Sequence, residues 1–348
     1  MSVTQSPSLS SFDVEDRRIR ELVRDLHAPR PRVYWADLLS ASAIGWAAFA
    51  FAVWSRPFSA GMFAGIAVAV LALYRALLFI HEITHQGARS LRGFETVWNL
   101  LVGFPMLIPS CVYSGVHQSH HGLSTYGTNL DPEYLPFASN NRMTLGFSLH
   151  SFFIPLALLV RFLILTPAGL VWPGLQRWLV VHASSLTMNF AYRREASAET
   201  IRMVRRQTVA ILLLWAAFVA LWLDGVLPGR AFAIWLAVSS LISFVNTLRT
   251  LGAHAYESAG QPLDRRGQLI DSIDTPGALW TELWAPVGLR YHALHHYFPG
   301  IPYHNLPAAW KRVSGSLPAE AMYHQVRSPG LAHSLRTLYR KGGRRRDR

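Results

Sequence analysis

Two pairs of long apolar stretches, each pair joined by a connector too short for anything but a tight turn, constrain this chain more than any other feature. LLSASAIGWAAFAFAVW (38–54) is followed, after residues 55–60, by GMFAGIAVAVLALYRALLFI (61–80). TVAILLLWAAFVALWL (208–223) is followed, after DGVLPGR, by AFAIWLAVSSLISFVNTL (231–248). A helix needs about 20 predominantly apolar residues to cross about 30 Å of hydrocarbon, so each stretch is a candidate span and each pair a helical hairpin. Composition agrees: 51% of the residues are hydrophobic and 15% charged, and 12 Trp, 18 Phe and 12 Tyr suit a membrane–water interface. The expected fold class is an all-α polytopic membrane protein with four transmembrane helices in two hairpins, plus interfacial helices and a cytoplasmic cap.

The segments between the hairpins carry mixed signals. NLLVGFPMLIPS (99–110) is apolar but short and interrupted by proline, which predicts a re-entrant or interfacial segment. Residues 147–172 have enough length to span, yet carry His150, Pro155, Arg161 and Pro167. A pair of short interfacial or re-entrant helices is the preferred reading there. The domain division expected is a cytoplasmic N-terminal segment (1–35), a membrane domain (36–315) and a basic cytoplasmic tail (316–348).

The net charge of +13 rests almost wholly on arginine, Lys311 and Lys341 being the only lysines. That bias suits a GC-rich bacterial gene more than a nucleic-acid partner. The arginines concentrate near the N-terminus, in the loop around Arg193–Arg206 and at the C-terminus, whereas the two hairpin connectors hold only Arg56 and Arg230. Two hairpins put both termini on one side, and the positive-inside rule makes that side cytoplasmic, in a multi-pass protein of the cell membrane. No short apolar signal-peptide core is visible in the first forty residues. The single cysteine, Cys111, excludes an internal disulfide and a thiolate metal cluster.

Histidine is the second constraint. There are 15, and most fall into three groups: HEITH with His81 and His85, HQSHH with His117, His120 and His121, and HALHH with His292, His295 and His296. His254 stands alone just beyond the last apolar stretch. By the topology above, all lie at the cytoplasmic surface. Residues i and i+4 share one helix face, so His81 and His85 can serve one pocket. In H-x-x-H-H the adjacent pair diverges by about 100° around the axis, so one segment can serve two neighbouring ions. Taken alone, HEITH also matches the two-histidine zinc motif of proteases, with Glu82 as base. A catalytic zinc uses about three protein ligands, and the eight grouped histidines, nine with His254, suit two metal ions better. His27, His150, His182, His324 and His333 read as polar surface residues, and His304 as structural.

The order of these boxes resembles that of the membrane fatty acid desaturase and hydroxylase superfamily. HQSHHGLSTYGTNLDPEY is similar to its second box with the downstream Asp131, Pro132 and Glu133; YHALHHYFPGIPYHNLP is similar to its third box; LRTLGAH is similar to the segment bearing its extra histidine. The resemblance implies two non-haem iron ions held by His81, His85, His117, His120, His121, His254, His292, His295 and His296, with O2 as co-substrate. In some members an asparagine one turn before the late histidine reaches the metal through water; this chain has Thr250 there. With no fused haem domain or cysteine cluster in the sequence, electrons are expected from an external ferredoxin-like donor on the basic cytoplasmic face. The implied reaction is O2-dependent introduction of a double bond into an aliphatic chain, most naturally a fatty acyl lipid. Hydroxylation or ketolation of a lipid, terpenoid or small aliphatic metabolite is the alternative, and an intramembrane zinc hydrolase the alternative of a different class. The iron chemistry demands no carboxylate base, so Glu82 is expected behind a ligand imidazole.

Overall fold

The computed structural model describes residues 11–87, 90–184 and 188–344; residues 1–10 of the N-terminal segment and 345–348 of the basic tail lie outside them. The described residues form helices and loops, with isolated β-bridges and no strand. In chain order the helices are α1 (Ser11–Val23), α2 (Pro31–Trp54), α3 (Ala60–His85), α4 (Phe94–Trp98) and α5 (Val116–His120). There follow α6 (Asn141–Val171), α7 (Pro173–His182), α8 (Ala198–Leu223) and α9 (Arg230–Ala253). The rest are α10 (Arg265–Asp271), α11 (His292–Tyr297), α12 (Leu306–Ser316) and α13 (Leu331–Arg344).

Four of the long helices start where their sequence supplies a start. Pro31 opens α2, and the Ser59, Asn140 and Ser197 side chains accept from first-turn amides of α3, α6 and α8. α2 and α3 touch closely because Gly65 leaves room: a Cβ there would stand 3.0 Å from the Ala48 carbonyl oxygen. The two hairpin connectors lie together, since Arg230 Nη1 donates to the Ser55 carbonyl at 3.2 Å. Both hairpins therefore turn at one end and return at the other, where α3 delivers His81 and His85 and α9 delivers His254.

Among the described residues five helices are long and apolar enough to cross a membrane: α2, α3, α6, α8 and α9. The fifth, α6, replaces the expected pair of short helices with one 31-residue run, bent by a 3-10 turn at Ser151–Phe153 and a π turn at Val160–Leu165. Its contacts follow an unusual course. Asn141 Nδ2 donates to the Tyr339 carbonyl at 2.9 Å, and the Phe152 carbonyl accepts from Ser240 Oγ, halfway along α9, at 3.0 Å. The Leu170 carbonyl then accepts from Arg205, in the first third of α8, at 3.5 Å. Both ends of α6 thus sit toward the histidine end of the bundle, with its middle deepest.

The segment after α4 goes down among the long helices and comes back. α4 continues as a π turn, Asn99–Gly103, and the chain reverses at Phe104–Leu107, where Leu107 takes φ 56°. Apolar surroundings offer no water to carbonyls at such a turn, and an unpaired one is costly. Three indoles supply the donors. Trp46 of α2 donates to the Leu101 carbonyl (2.7 Å), Trp215 of α8 to Phe104 (3.1 Å) and Trp235 of α9 to Pro105 (3.0 Å). The two limbs meet at Gly103, where a Cβ would fall 3.1 Å from the Ile108 carbonyl oxygen of the returning limb. The returning limb ends in a 3-10 turn, Ser110–Val112, and leads to the second histidine box.

The remaining chain covers the histidine end. Ile19, Val23 and Leu26 of the N-terminal segment share a core with Leu294, Phe298, Val313 and Tyr323. α13 packs on the end of α9, where Leu331 lies against Gly252, its Cδ1 2.6 Å from where a Cβ would stand. This polar region also presents an apolar face: Leu279 is 87% exposed and Trp280 57%, in a loop tied to α3 by the Tyr74 hydroxyl donating to the Trp284 carbonyl.

Candidate metal centre

Nine histidines converge at the closed end of the bundle in two adjoining groups. His81, His85, His117, His121 and His295 form one, and His120, His254, His292 and His296 the other; within each, the ligand atoms lie within 4.8 Å of one another. The boxes divide by helix geometry. His117 and His121, four apart, go to the first group and His120 to the second; His292 and His296 go to the second and His295 to the first. His304 lies apart, its Nε2 accepting from the Arg30 amide, and His27, His150, His182, His324 and His333 belong to neither group.

The ring nitrogens face each other at short range. Nε2–Nε2 separations are 3.1 Å for His117–His121, 3.3 Å for His121–His295, 2.9 Å for His254–His292 and 3.1 Å for His292–His296. Two imidazoles at right angles on one ion, each about 2.1 Å from it, stand about 3 Å apart, so these spacings fit a shared cation. His81 leaves both ring nitrogens, and His85 its Nε2, buried without a hydrogen-bond partner, which a metal ion would satisfy.

Electrostatics favour the same use. Burial pushes His117, His121, His254, His292, His295 and His296 well below the ordinary imidazole range. They are neutral near pH 7, the form that ligates. His120 differs. Burial lowers it, but the Asp131 carboxylate against its Nδ1, at 2.9 Å, outweighs that and raises it. Asp131 in turn accepts from the Gly127 and Glu133 amides, so it is rigidly held.

Two more ligand candidates have outer partners. Glu133 lies 3.1 Å from His117 Nδ1, and burial raises its carboxyl to about 7. His254 Nδ1 lies 2.8 Å from the Tyr126 hydroxyl, which donates to Asp271 at 3.0 Å. Each such contact fixes one ring nitrogen outward and leaves Nε2 for the centre. Asp271 and Tyr126 carry no spacing signal in the sequence. Tyr113, whose ring stacks on His117 with centroids 4.8 Å apart, is equally silent there.

Glu82 is placed differently from the expectation. Its Oε2 accepts from the Tyr34 hydroxyl and from the Tyr303 amide at 3.1 Å, while its Oε1 stands 3.8 Å from His81 Nδ1, beyond hydrogen-bond range. It fastens α2 and the cap to α3 instead of backing an imidazole. The same contacts leave it poorly set to act as the base of a zinc hydrolase.

A helical bundle with two adjoining polyhistidine groups buried at one end defines a membrane metalloprotein. The profile of the fatty acid desaturase family matches residues 57–328, and the chain belongs to that family. It is 40% identical over 328 residues to a ceramide hydroxylase of Caulobacter vibrioides (strain NA1000 / CB15N), covering 93% of each chain. It is 25% identical over 321 residues to an acyl-lipid (9-3)-desaturase of Physcomitrium patens, covering 86% of this chain and 57% of that protein. The protein is thus a membrane lipid oxidoreductase of an iron-dependent family.

Proposed function

We propose that this protein hydroxylates an aliphatic carbon of a ceramide-type lipid. The main support is the end-to-end match, at 40% identity, to a relative named for that reaction. Double-bond formation on an acyl lipid is the second reading, favoured by the more distant desaturase.

One iron ion would be held by His81, His85, His117, His121 and His295, and a second by His120, His254, His292 and His296. When bound, the iron supplies activation of O2 toward an unactivated C–H bond. The chain's own residues do the rest. Asp131, Glu133 and the Tyr126–Asp271 pair hold ring nitrogens outward, and buried apolar walls keep water from the reacting carbon. Neither reaction asks a side chain for general-base work, which agrees with Glu82 being engaged elsewhere.

The topology we propose has four spans, α2, α3, α8 and α9, with α6 re-entrant; its support is that both ends of α6 are tied at the histidine level. The histidine end and both termini then face the cytoplasm, where the arginine-rich segments lie. A ferredoxin-like donor would deliver electrons on that basic face in the cell membrane.

The test is expression in a ceramide-containing host with mass spectrometry of the lipids. A ceramide heavier by one oxygen supports the proposal; a product lighter by two hydrogens supports the second reading. Purified protein is expected to hold about two irons per chain, and zinc alone would overturn both readings.

A further inference from the structure

We propose that the groove between the α4 limb and the first third of α8 seats the polar head of the lipid substrate, and that the head it fits is uncharged, with amide and hydroxyl groups. The inference rests on the lipid oxidation proposed above and assigns the place where that lipid is held.

The groove has a cavity volume of about 720 Å³. Pockets for small ligands span about 300–1,000 Å³, so it has room for a head and its first methylenes. One wall is the face of Glu95, Thr96, Asn99 and Leu100; the other is the face of Arg202, Met203, Arg206, Gln207 and Ala210 on α8. Its polarity is graded along α8. Glu199, Arg202 and Arg206 form the end toward the histidines, and Leu100, Phe104 and Ala210 form the deeper end, among the spans. A molecule filling it keeps its head at the membrane surface and its tail in the apolar layer.

Two observations select the head's chemistry. First, the ionisable groups are two arginines and two glutamates, which leaves no net charge to attract a phosphate. Glu199, Arg202 and Arg206 form no ion pair among the described residues, so donors and acceptors of both kinds are free to meet hydroxyl and amide groups. Second, the floor is a rigid polar knot. Ser110 Oγ donates to Glu95 Oε1 at 2.7 Å and accepts from Asn99 at 2.8 Å and Gln207 at 2.9 Å. Such a knot orients a bound polar group without itself needing water.

The groove also adjoins the helix end that carries the first histidine box. A second cavity of about 240 Å³ shares Glu95 and Thr96 with it and reaches Ile83 and Gln86, on either side of His85. Gln86 Nε2 is buried there with no partner, a donor available to a substrate oxygen. Behind the floor, the chain from Ser110 runs to Tyr113, stacked on His117.

The test uses iron-loaded full-length protein in nanodiscs and a ceramide bearing a diazirine beside its head. Labelling is expected on residues 95–100 and 199–210, with competition by plain ceramide and not by phosphatidic acid. Arg206→Ala should raise KM for ceramide about tenfold, the loss of one charge-assisted hydrogen bond, with iron content unchanged. Label confined to other segments overturns the groove as the seat, and competition by phosphatidic acid as strong as by ceramide overturns the uncharged head. Ceramide that labels the groove but is not oxidised refutes the reaction and leaves the groove; ceramide oxidised but labelling elsewhere does the reverse.

Discussion

Asp131 and Glu82 show how far a single carboxylate's role depends on which side of a histidine it reaches. Asp131 lies 2.9 Å from His120 Nδ1 and is itself held by two backbone amides, so it fixes which nitrogen points inward. Asp131→Asn should weaken metal binding by about 10–100-fold, chiefly in the group containing His120, as read by metal retained against a graded chelator. Glu82 sits inside a histidine box, yet its oxygen serves Tyr34 and Tyr303. Glu82→Gln should therefore keep its full iron complement while lowering the melting temperature; loss of iron without loss of stability would return Glu82 to the centre. The sequence foretold the division of each H-x-x-H-H, because i+3 and i+4 positions differ by about 100° on a helix. It was silent on the direction of Glu82, since spacing along a helix does not reveal which distant tyrosine lies across from a side chain.

At the scale of elements, the re-entrant limb and the third histidine box each depend on donors or acceptors brought from far along the chain. Trp215 offers the Phe104 carbonyl a hydrogen bond where no water is at hand. Trp215→Phe keeps the ring and removes the donor, and should cost about 1–3 kcal/mol of stability, the usual penalty for a buried acceptor left unpaired. Thermal unfolding in detergent checks this, with a matched Trp→Phe change at the exposed Trp178 as control. The start of α11 is capped by Asp274, which accepts from the Ala293 amide at 2.8 Å and the Leu294 amide at 3.2 Å, and from the Tyr323 hydroxyl at 2.6 Å. Burial raises the Asp274 carboxyl from 3.8 to about 6, so the fold holds this proton more tightly than the unfolded chain does. Stability from this group is then present below the unfolded value and falls as pH rises from 3.8 to about 6. Asp274→Asn should flatten that part of the stability–pH curve; an unchanged slope would assign it to other carboxyls. The short apolar run at 99–110 announced a segment unable to span, but nothing local announced its indole donors, which come from three other helices.

The whole molecule is arranged so that both hairpins return to one end and the chain beyond α9 closes over it. Hydropathy and connector length made that plan legible, whereas α6 was not, because its 31 residues satisfy the length of a span while its end contacts hold it at one level. The cap was legible only as polar chain, and the exposed loop at 279–283 departs from that description. Leu279 and Trp280 project from a segment anchored to Tyr74 of α3, a helix long and apolar enough to cross a membrane, and in the proposed topology the loop would lie at bilayer depth. Large apolar and indole groups exposed at that level are best accommodated by the lipid interface, not by water. Cys111 is buried and is the chain's only cysteine, so an introduced Leu279→Cys can be labelled selectively with an environment-sensitive fluorophore. In nanodiscs its emission should be quenched by brominated lipid and protected from aqueous iodide. A label at Glu320→Cys, on the exposed surface of the cap, should show the opposite pattern. If the Leu279 label followed Glu320, the cap would stand clear of the membrane, and the loop would have to be covered by protein instead.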